Sequence, residues 1–256
     1  MGKLHLLDVG CGDASVIITD KATFLVDCHN IGDHAEHLPS SKKIRGIFIT
    51  HQHEDHYSGL SYLYDNQYKI DFLVTSPYER RHNDQSVLAD DWKIFNDLVA
   101  KFEKRGTEVR KPYRQDSFDN PWWATGQGAK FWIIGPHQDV ATEDKRELHD
   151  ASLVVKADLG KRHCLFTGDG SDKNLNRIAG STNNYCNDIL HASHHGSING
   201  ADLDFIKGCN TKYSVISTEA GVFSNVPHST ALSRYNNHTS EKVYRTDKDG
   251  TLTFTF

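Results

Sequence analysis

His51-Gln52-His53-Glu54-Asp55-His56 sets three imidazoles and two carboxylates directly behind the apolar run IRGIF. In extended backbone, residues two apart face the same side, so His51 and His53 can grip one cation while Asp55 and His56 turn toward a second. H-x-H-x-D-H is therefore the composition of one loop serving two metals. Further donors recur downstream. Asp169 ends the stretch FTGD, where a carboxylate after a glycine turn can bridge two cations with its two oxygens. HASHHGS offers His191, His194 and His195, LHDASLVV offers His149 and Asp150, and VPHSTAL offers His228. Singly, these are ordinary turn, cap or surface residues, and Ser229 is itself a fitting helix cap. What groups them is a shared place at apparent strand ends. The spacing leaves open whether His194 or His195 faces the others.

The elements that must carry these donors are legible from pattern. LHLLDVG, SVIITD and TFLVDC read as three short strands of an opening β-meander, rich in β-branched and large apolar residues and separated by turn residues. IRGIFIT is a further strand, and YSGLSYLY, with Leu60, Leu63 and Tyr64 at helical spacing, begins a helix, so the histidine cluster sits on a strand-to-helix loop. KIDFLVTS is a strand. From Gln85 to Phe102, Leu88, Trp92, Phe95, Leu98, Val99 and Phe102 recur every three or four residues, which predicts an amphipathic helix over the sheet. Residues 106–128 show little periodicity and are expected to be irregular or inserted.

Strands return with KFWIIG. SLVVKADLGKRHCLFTGDG reads as a hairpin turning at Gly160, and NDILHASHHGS as a strand running into a polar loop. DLDFIKGC and TALSRYNNH read as short helices around the strand SVISTEA, and VYRTDKDGTLTFTF as a closing hairpin about Asp249 and Gly250. Two strand-rich halves, each followed by helices, imply sheets sandwiched between helical layers.

At 256 residues the chain is long enough for one large domain, and no stretch approaches the roughly 18 to 20 uninterrupted apolar residues of a membrane span. No signal-peptide pattern opens it, so a soluble cytoplasmic protein is expected. Five cysteines without a C-x-x-C pair read as buried reduced thiols. A formal charge of -5 argues against a uniformly positive coat for non-specific nucleic-acid binding. Sixteen histidines are the compositional outlier.

The set of Asp27 in LVDC, the H-x-H-x-D-H loop, Asp169 in FTGD and the late histidines resembles that of the metallo-β-lactamase-fold hydrolases. Within that superfamily, LLDVGCGDASVI, NDILHASHHGS, VPHSTALSRY and KVYRTDKDGTLTF look like the domain that accompanies the competence channel ComEC and its stand-alone relatives. The likeness covers nearly the whole chain apart from roughly the middle third. Cys11 stands where those relatives carry glutamine. The stretch HDASLVV stands where they begin with asparagine, so His149 can restore a third histidine. His228 is followed by serine rather than proline, which leaves it as ligand or proton donor.

The resemblance implies an α/β protein, an αβ/βα four-layer sandwich spanning residues 1–256 as a single domain, with two divalent ions, Zn2+ or Mn2+, along one edge. It implies ligands drawn from His51, His53, Asp55, His56, His149, Asp169, His194 and His228. Reacting groups would be Asp55, which orients the attacking water, and a proton-donating histidine drawn from His194, His195 and His228. Asp27 and Asp8 would hold the ligand imidazoles in one tautomer. The implied activity is hydrolysis of an ester or phosphodiester, with DNA as the favoured substrate and a partner in uptake, repair or phage defence. A small phosphodiester, lactone or thioester, or a non-catalytic metal-binding regulatory role, are the alternatives. Arg80, Arg81, Lys111, Arg114, Trp122 and Trp123 are the candidate nucleic-acid contacts.

Overall fold

The computed structural model describes residues 1–124, 126–181, 185–186 and 188–256. Thr125 and Asn187, within stretches read above as loop and strand, lie outside the described residues. The chain opens with β1 (Lys3–Leu6), β2 (Ala14–Ile18) and β3 (Thr23–Cys28), an antiparallel meander as expected. β4 (Lys43–Ile49) follows, then α1 (Glu54–Tyr57), α2 (Gly59–Asp65), β5 (Lys69–Thr75), α3 (Ala89–Lys104) and β6 (Glu108–Arg110). Next come β7 (Trp123–Ala124), β8 (Lys130–Gly135), α4 (Gln138–Ala141), β9 (Val154–Asp158), β10 (His163–Phe166), α5 (Asp172–Ala179) and β11 (Ile189–His191). The last elements are α6 (Leu203–Cys209), β12 (Thr211–Ile216), α7 (Ser229–His238), β13 (Thr239–Arg245), α8 (Thr246–Asp249) and β14 (Leu252–Thr255).

Two seven-stranded sheets result, ordered β14-β1-β2-β3-β4-β5-β6 and β13-β12-β11-β10-β9-β8-β7. Strand alternation shows how they stack. Phe24 and Val26 of β3, Phe48 of β4, Phe131 of β8, Val155 of β9 and Phe166 of β10 share one core between the sheets. The intervening Leu25, Ile47 and Ile49 face outward, beneath Leu60 and Leu63 of α2 and Phe95, Leu98 and Phe102 of α3. On the other side Val154, Leu165 and Leu190 lie beneath Leu175, Phe205 and Tyr235 of α5, α6 and α7. Both faces of the central strands are buried, which is why they read as continuous apolar runs. The layers are helix, sheet, sheet, helix.

Three expectations change. Residues 106–128 are not wholly irregular, since they supply β6 at one outer edge of the first sheet and β7 at one outer edge of the second. Strands of three and two residues are too short to show a period of two. The long helix starts at Ala89 rather than Gln85, leaving Leu88 exposed at its N-cap. The final segment is not a hairpin, because β13 runs parallel to β12 in the second sheet while β14 pairs antiparallel with β1 in the first. One helical turn, α8, and Gly250 at φ 67° carry the chain across the sandwich. A D-G turn between two alternating runs looks the same whether or not those runs pair.

Candidate metal centre

Strands β3 to β6 run parallel, as do β10 to β12, and the loops leaving β4, β5, β10, β11 and β12 meet at one edge. Carboxyl ends of parallel strands are where open sheets gather their functional loops. At this edge His51 Nε2 and His149 Nε2 each stand 3.2 Å from His53 Nδ1, and 3.7 and 3.8 Å from Asp169 Oδ2. On the other side of the same carboxylate, His56 Nε2 is 3.2 Å and His195 Nε2 3.6 Å from Asp169 Oδ1, and Asp55 Oδ2 is 3.5 Å from His195 Nε2. Asp169 thus lies between two donor groups, His51-His53-His149 and Asp55-His56-His195. Asp55 and His56 are on the first helical turn, α1, rather than on a fully extended loop.

Hydrogen bonds on the far side of three of the rings settle which nitrogen faces the centre. His53 Nε2 donates to the Ser86 carbonyl at 2.8 Å, so its Nδ1 is the free acceptor. His56 Nδ1 donates to Asp27 Oδ2 at 2.9 Å, and His195 Nδ1 donates to the Ser217 carbonyl at 3.1 Å. Both then turn Nε2 inward. Asp169 Oδ1, His56 Nε2 and His195 Nε2 are buried without a hydrogen-bond partner among the described residues. Ring nitrogens and carboxylate oxygens converging on one another, several of them buried without a partner, form an arrangement that a divalent cation completes. The donor set fits metal.

Charge divides the centre. Burial and the neighbouring His56 hold His51 well below its usual range, and burial pulls His149 down to about 3 despite Asp169, so both rings are neutral. Burial acts the same way on His56 and His195, but Asp169 and Asp27 outweigh it at His56, and Asp169 and Asp55 raise His195 to about 9. Burial opposes ionisation of Asp169 and Asp55 too, yet His195 and His56 hold Asp169 well below the usual carboxylate range and Asp55 at about 2. The His51 side is ready to bind an ion. The His56 side must first release protons.

The local backbone is specialised to reach this geometry. Asp27 sits at φ 51°, where the pairing of β2 with β3 shifts register between Ala14 and Ser15. That bulge turns its carboxylate to accept from Thr50 N and Thr50 Oγ1, both at 2.7 Å, and from His56. Gly168, at φ 48°, lies so near Thr50 that a Cβ would meet Oγ1 at 2.3 Å. His194 and His195 both hold φ 52°, an unusual pair of left-handed non-glycine residues. The turn directs His195 toward Asp55 and leaves His194 Nε2 3.7 Å from Asp169 Oδ2, with its ring 4.5 Å from that of His149.

Not every candidate joins. His228 is the N-cap of α7, and its Nδ1 accepts from Thr230 N at 3.1 Å. Capping therefore falls to His228 itself rather than to Ser229. Asp8 is exposed, and the buried carboxylate from its stretch is Asp13, within 3.6 Å of His191 Nε2 and His195 Nδ1. Asp13 and the Ser86 and Ser217 carbonyls were missed from sequence. The stretch GCGDAS was visible, but nothing marks one aspartate of DVGCGD as the buried one, and backbone carbonyls carry no sequence signal.

The candidate groove residues are largely tied into the protein. Arg80 donates to the Val87 and Asp84 carbonyls, Arg81 to those of Thr142, Glu143 and Asp144, and Lys111 pairs with Glu79. Arg114 stacks on Phe118, Trp123 belongs to the inter-sheet core, and Trp122 packs at its margin beside Arg110. Two clefts flank the centre. One, of about 500 Å³, is lined by Arg81, Asp84, Ser86, Lys145, Arg146 and His149. The other, of about 600 Å³, is lined by Cys11, His29, Glu54, Asp55, Glu219 and Phe223 among others. The four other cysteines are buried and free.

Comparison with known proteins adds a family match over part of the chain. Residues 7–91 match the model of the metallo-β-lactamase superfamily. No curated protein matches the sequence significantly. Among solved structures, the metallo-β-lactamase fold protein YhfI from Bacillus subtilis superposes with a TM-score of 0.58 at 12% identity, covering 99% of this chain and 100% of that one. Human tRNase Z, short form, gives 0.54 at 15% identity, covering 98% of each chain. A diphosphatase from the PhnP family gives 0.53 at 12%, covering 98% of this chain and 97% of that one. At such identities the likeness establishes the fold.

Proposed function

We propose that this chain, which has the metallo-β-lactamase fold, is a metal-dependent phosphodiesterase, with DNA as the substrate favoured by its competence-type motifs. The observation that carries the reading is the pair of donor groups sharing Asp169, with buried ring nitrogens and carboxylate oxygens that lack partners. His51, His53 and His149 would hold one divalent ion and Asp55, His56 and His195 the other, with Asp169 between them. Imidazole-rich donors favour zinc, and the carboxylates admit manganese. Bound there, divalent ions lower the pKa of water and neutralise charge developing on a phosphoryl oxygen.

The protein's own groups complete the chemistry. Asp55, with 29% of its side chain exposed at the wall of the larger cleft, orients the attacking water. His195, buried and with Nδ1 anchored on the Ser217 carbonyl, would present Nε2 to the ion it shares with Asp55 and His56. His194, with 23% of its side chain exposed, gives a proton to the leaving oxygen as the P–O bond breaks. His228 caps α7 through Nδ1, which leaves the ring proton on Nε2, and belongs to neither donor group. Tyr78, Asp84 and Ser86 brace the loop that aligns His53. Relatives of this fold include a diphosphatase and a tRNase Z by name, which supports phosphoryl chemistry. The proposed setting is the cytoplasm, with a protein partner in uptake, repair or phage defence. Among the described residues no helix is long and apolar enough to cross a membrane.

A second reading rests on the larger cleft. Glu54 and Glu219 line it with no lysine or arginine among the described residues, and Val222 and Phe223 stand half-exposed at its rim, a lining that suits a small diester with an apolar leaving group better than a polyanionic strand. Purified protein loaded with zinc or manganese, assayed on plasmid, single-stranded DNA and bis-p-nitrophenyl phosphate beside Asp55→Ala, separates the two. Cleavage of DNA supports the first reading, and cleavage of the small diester alone supports the second. Asp55→Ala is expected to lose at least about a hundredfold in rate with its fold intact. Wild-type rates in that variant would refute both.

A further inference from the structure

Imidazole is concentrated a second time, away from the candidate centre. His34 and His37 lie with Glu36 on the 3-10 segment Ile31–His37, which a non-helical conformation at His34 (φ -122°, ψ 30°) interrupts. One donor atom from each of His34, Glu36 and His37 lies within 4.8 Å of the others. His34 Nε2 donates to the Asp8 carbonyl at 2.9 Å, leaving Nδ1 as its lone-pair nitrogen. His37 Nε2 is 3.5 Å from Glu36 Oε1. Beneath them His5 of β1 is buried, its ring centroid 4.3 Å from that of His37 and its Nδ1 held 2.9 Å from Thr253 Oγ1. No residue of this group belongs to the centre around Asp169.

We propose that His34, Glu36 and His37 form a separate divalent-cation site of the zinc type, braced from below by His5. Two imidazoles and one carboxylate are a donor set that zinc accepts, with the remaining position open to water. His29 and Asn30, immediately before the segment, line the cleft beside Asp55. An ion held here stiffens one wall of that cleft.

The test counts metal and does not depend on activity. Full-length wild type, His34→Ala/His37→Ala and Glu36→Gln are loaded with zinc, dialysed against a chelator-buffered zinc solution and analysed for metal content, each also in a His53→Ala background. The double variant is expected to hold about one equivalent per chain less than its parent in both backgrounds, and Glu36→Gln to bind that ion about tenfold more weakly. Because the comparison is a difference within each background, it stands or falls independently of whether the Asp169 centre is occupied. Equal metal content in parent and double variant would overturn the proposal. So would loss of the ion from wild type and Glu36→Gln at the same free-zinc concentration, which would mark it as adventitious. Circular dichroism checks the fold, and if the double variant does not fold, Glu36→Gln, altered at an exposed side chain, carries the comparison.

Discussion

Asp27→Asn separates holding the backbone from holding a tautomer. The carboxylate accepts three hydrogen bonds, from Thr50 N, Thr50 Oγ1 and His56 Nδ1, at 2.7, 2.7 and 2.9 Å. Asparagine keeps the shape and the oxygen that receives Thr50 N, but presents an NH2 group where Thr50 and His56 now donate. The Thr50 hydroxyl can rotate to accept. The imidazole has only one way to adapt, which is to move its proton to Nε2, the atom 3.2 Å from Asp169 Oδ1. That removes the lone pair the centre needs. Losing one charge-assisted hydrogen bond costs about 1.5–3 kcal/mol of stability, while the wrong tautomer is expected to weaken zinc binding by about 10–100-fold. Asp27→Ala, which strands all three buried donors, should cost about 3–5 kcal/mol. Urea unfolding of metal-free protein gives the first quantity and chelator competition the second. If Asp27→Asn is destabilised yet binds zinc within about twofold of wild type, Asp27 supports the loop and has no hold on the imidazole.

Other outcomes follow from the same geometry. Ser86 Oγ accepts from Leu148 N at 2.9 Å and donates to Asp84 Oδ1 at 2.7 Å, joining the loops of His53 and His149. Ser86→Ala should therefore lose about 1–3 kcal/mol in urea unfolding and about tenfold in zinc affinity. Gly168→Ala, which puts a Cβ 2.3 Å from Thr50 Oγ1 at a left-handed φ, should cost about 3 kcal/mol, read as a lowered midpoint of thermal unfolding. The pKa of His195 stands at about 9 against an ordinary 6.5, so the stability it lends the metal-free chain is full below pH 6.5 and lost as pH rises through about 9. Zinc binding should strengthen over that window as the proton leaves, and flat affinity between those limits in a pH titration would contradict the assignment. Under the small-diester reading, Phe223→Ala should raise KM for bis-p-nitrophenyl phosphate severalfold and leave kcat nearly unchanged.

Much of the architecture is readable in advance because it depends on local pattern. The meander of LHLLDVG, SVIITD and TFLVDC, the hairpin at Gly160 and the helices over DLDFIKGC and TALSRYNNH are set by side-chain periodicity and turn residues within a few positions. The closing VYRTDKDGTLTFTF fails as a hairpin because pairing partners are chosen by the whole sandwich, β14 finding β1 at the far end of the chain. Residues 106–128 fail similarly, since an edge strand of two or three residues is defined by its neighbour. Within the centre, His51, His53, Asp55 and His56 are visible because one loop carries them all, and Asp169 because a glycine turn presents it. Asp8 is a misplacement of one turn. Two aspartates flank the same glycines, and only the path from β1 to β2 buries Asp13 and leaves Asp8 at the surface.

The sequence by itself determined the inventory: which donors exist, that they fall at strand ends, and that helical layers cover two sheets. These are consequences of residue type and short-range spacing. Only the tertiary structure decided the division of labour. It set His149 beside His53 across 96 positions of chain, gave His195 the place next to Asp55 and left His194 half-open, and assigned His228 to a helix cap. Those outcomes turn on partners remote in sequence: the Ser86 carbonyl for His53, the Ser217 carbonyl for His195, and the Gly196 carbonyl, which accepts from His228 N at 2.8 Å. Which nitrogen of an imidazole faces inward depends on what its other nitrogen meets, and that neighbour is supplied by folding.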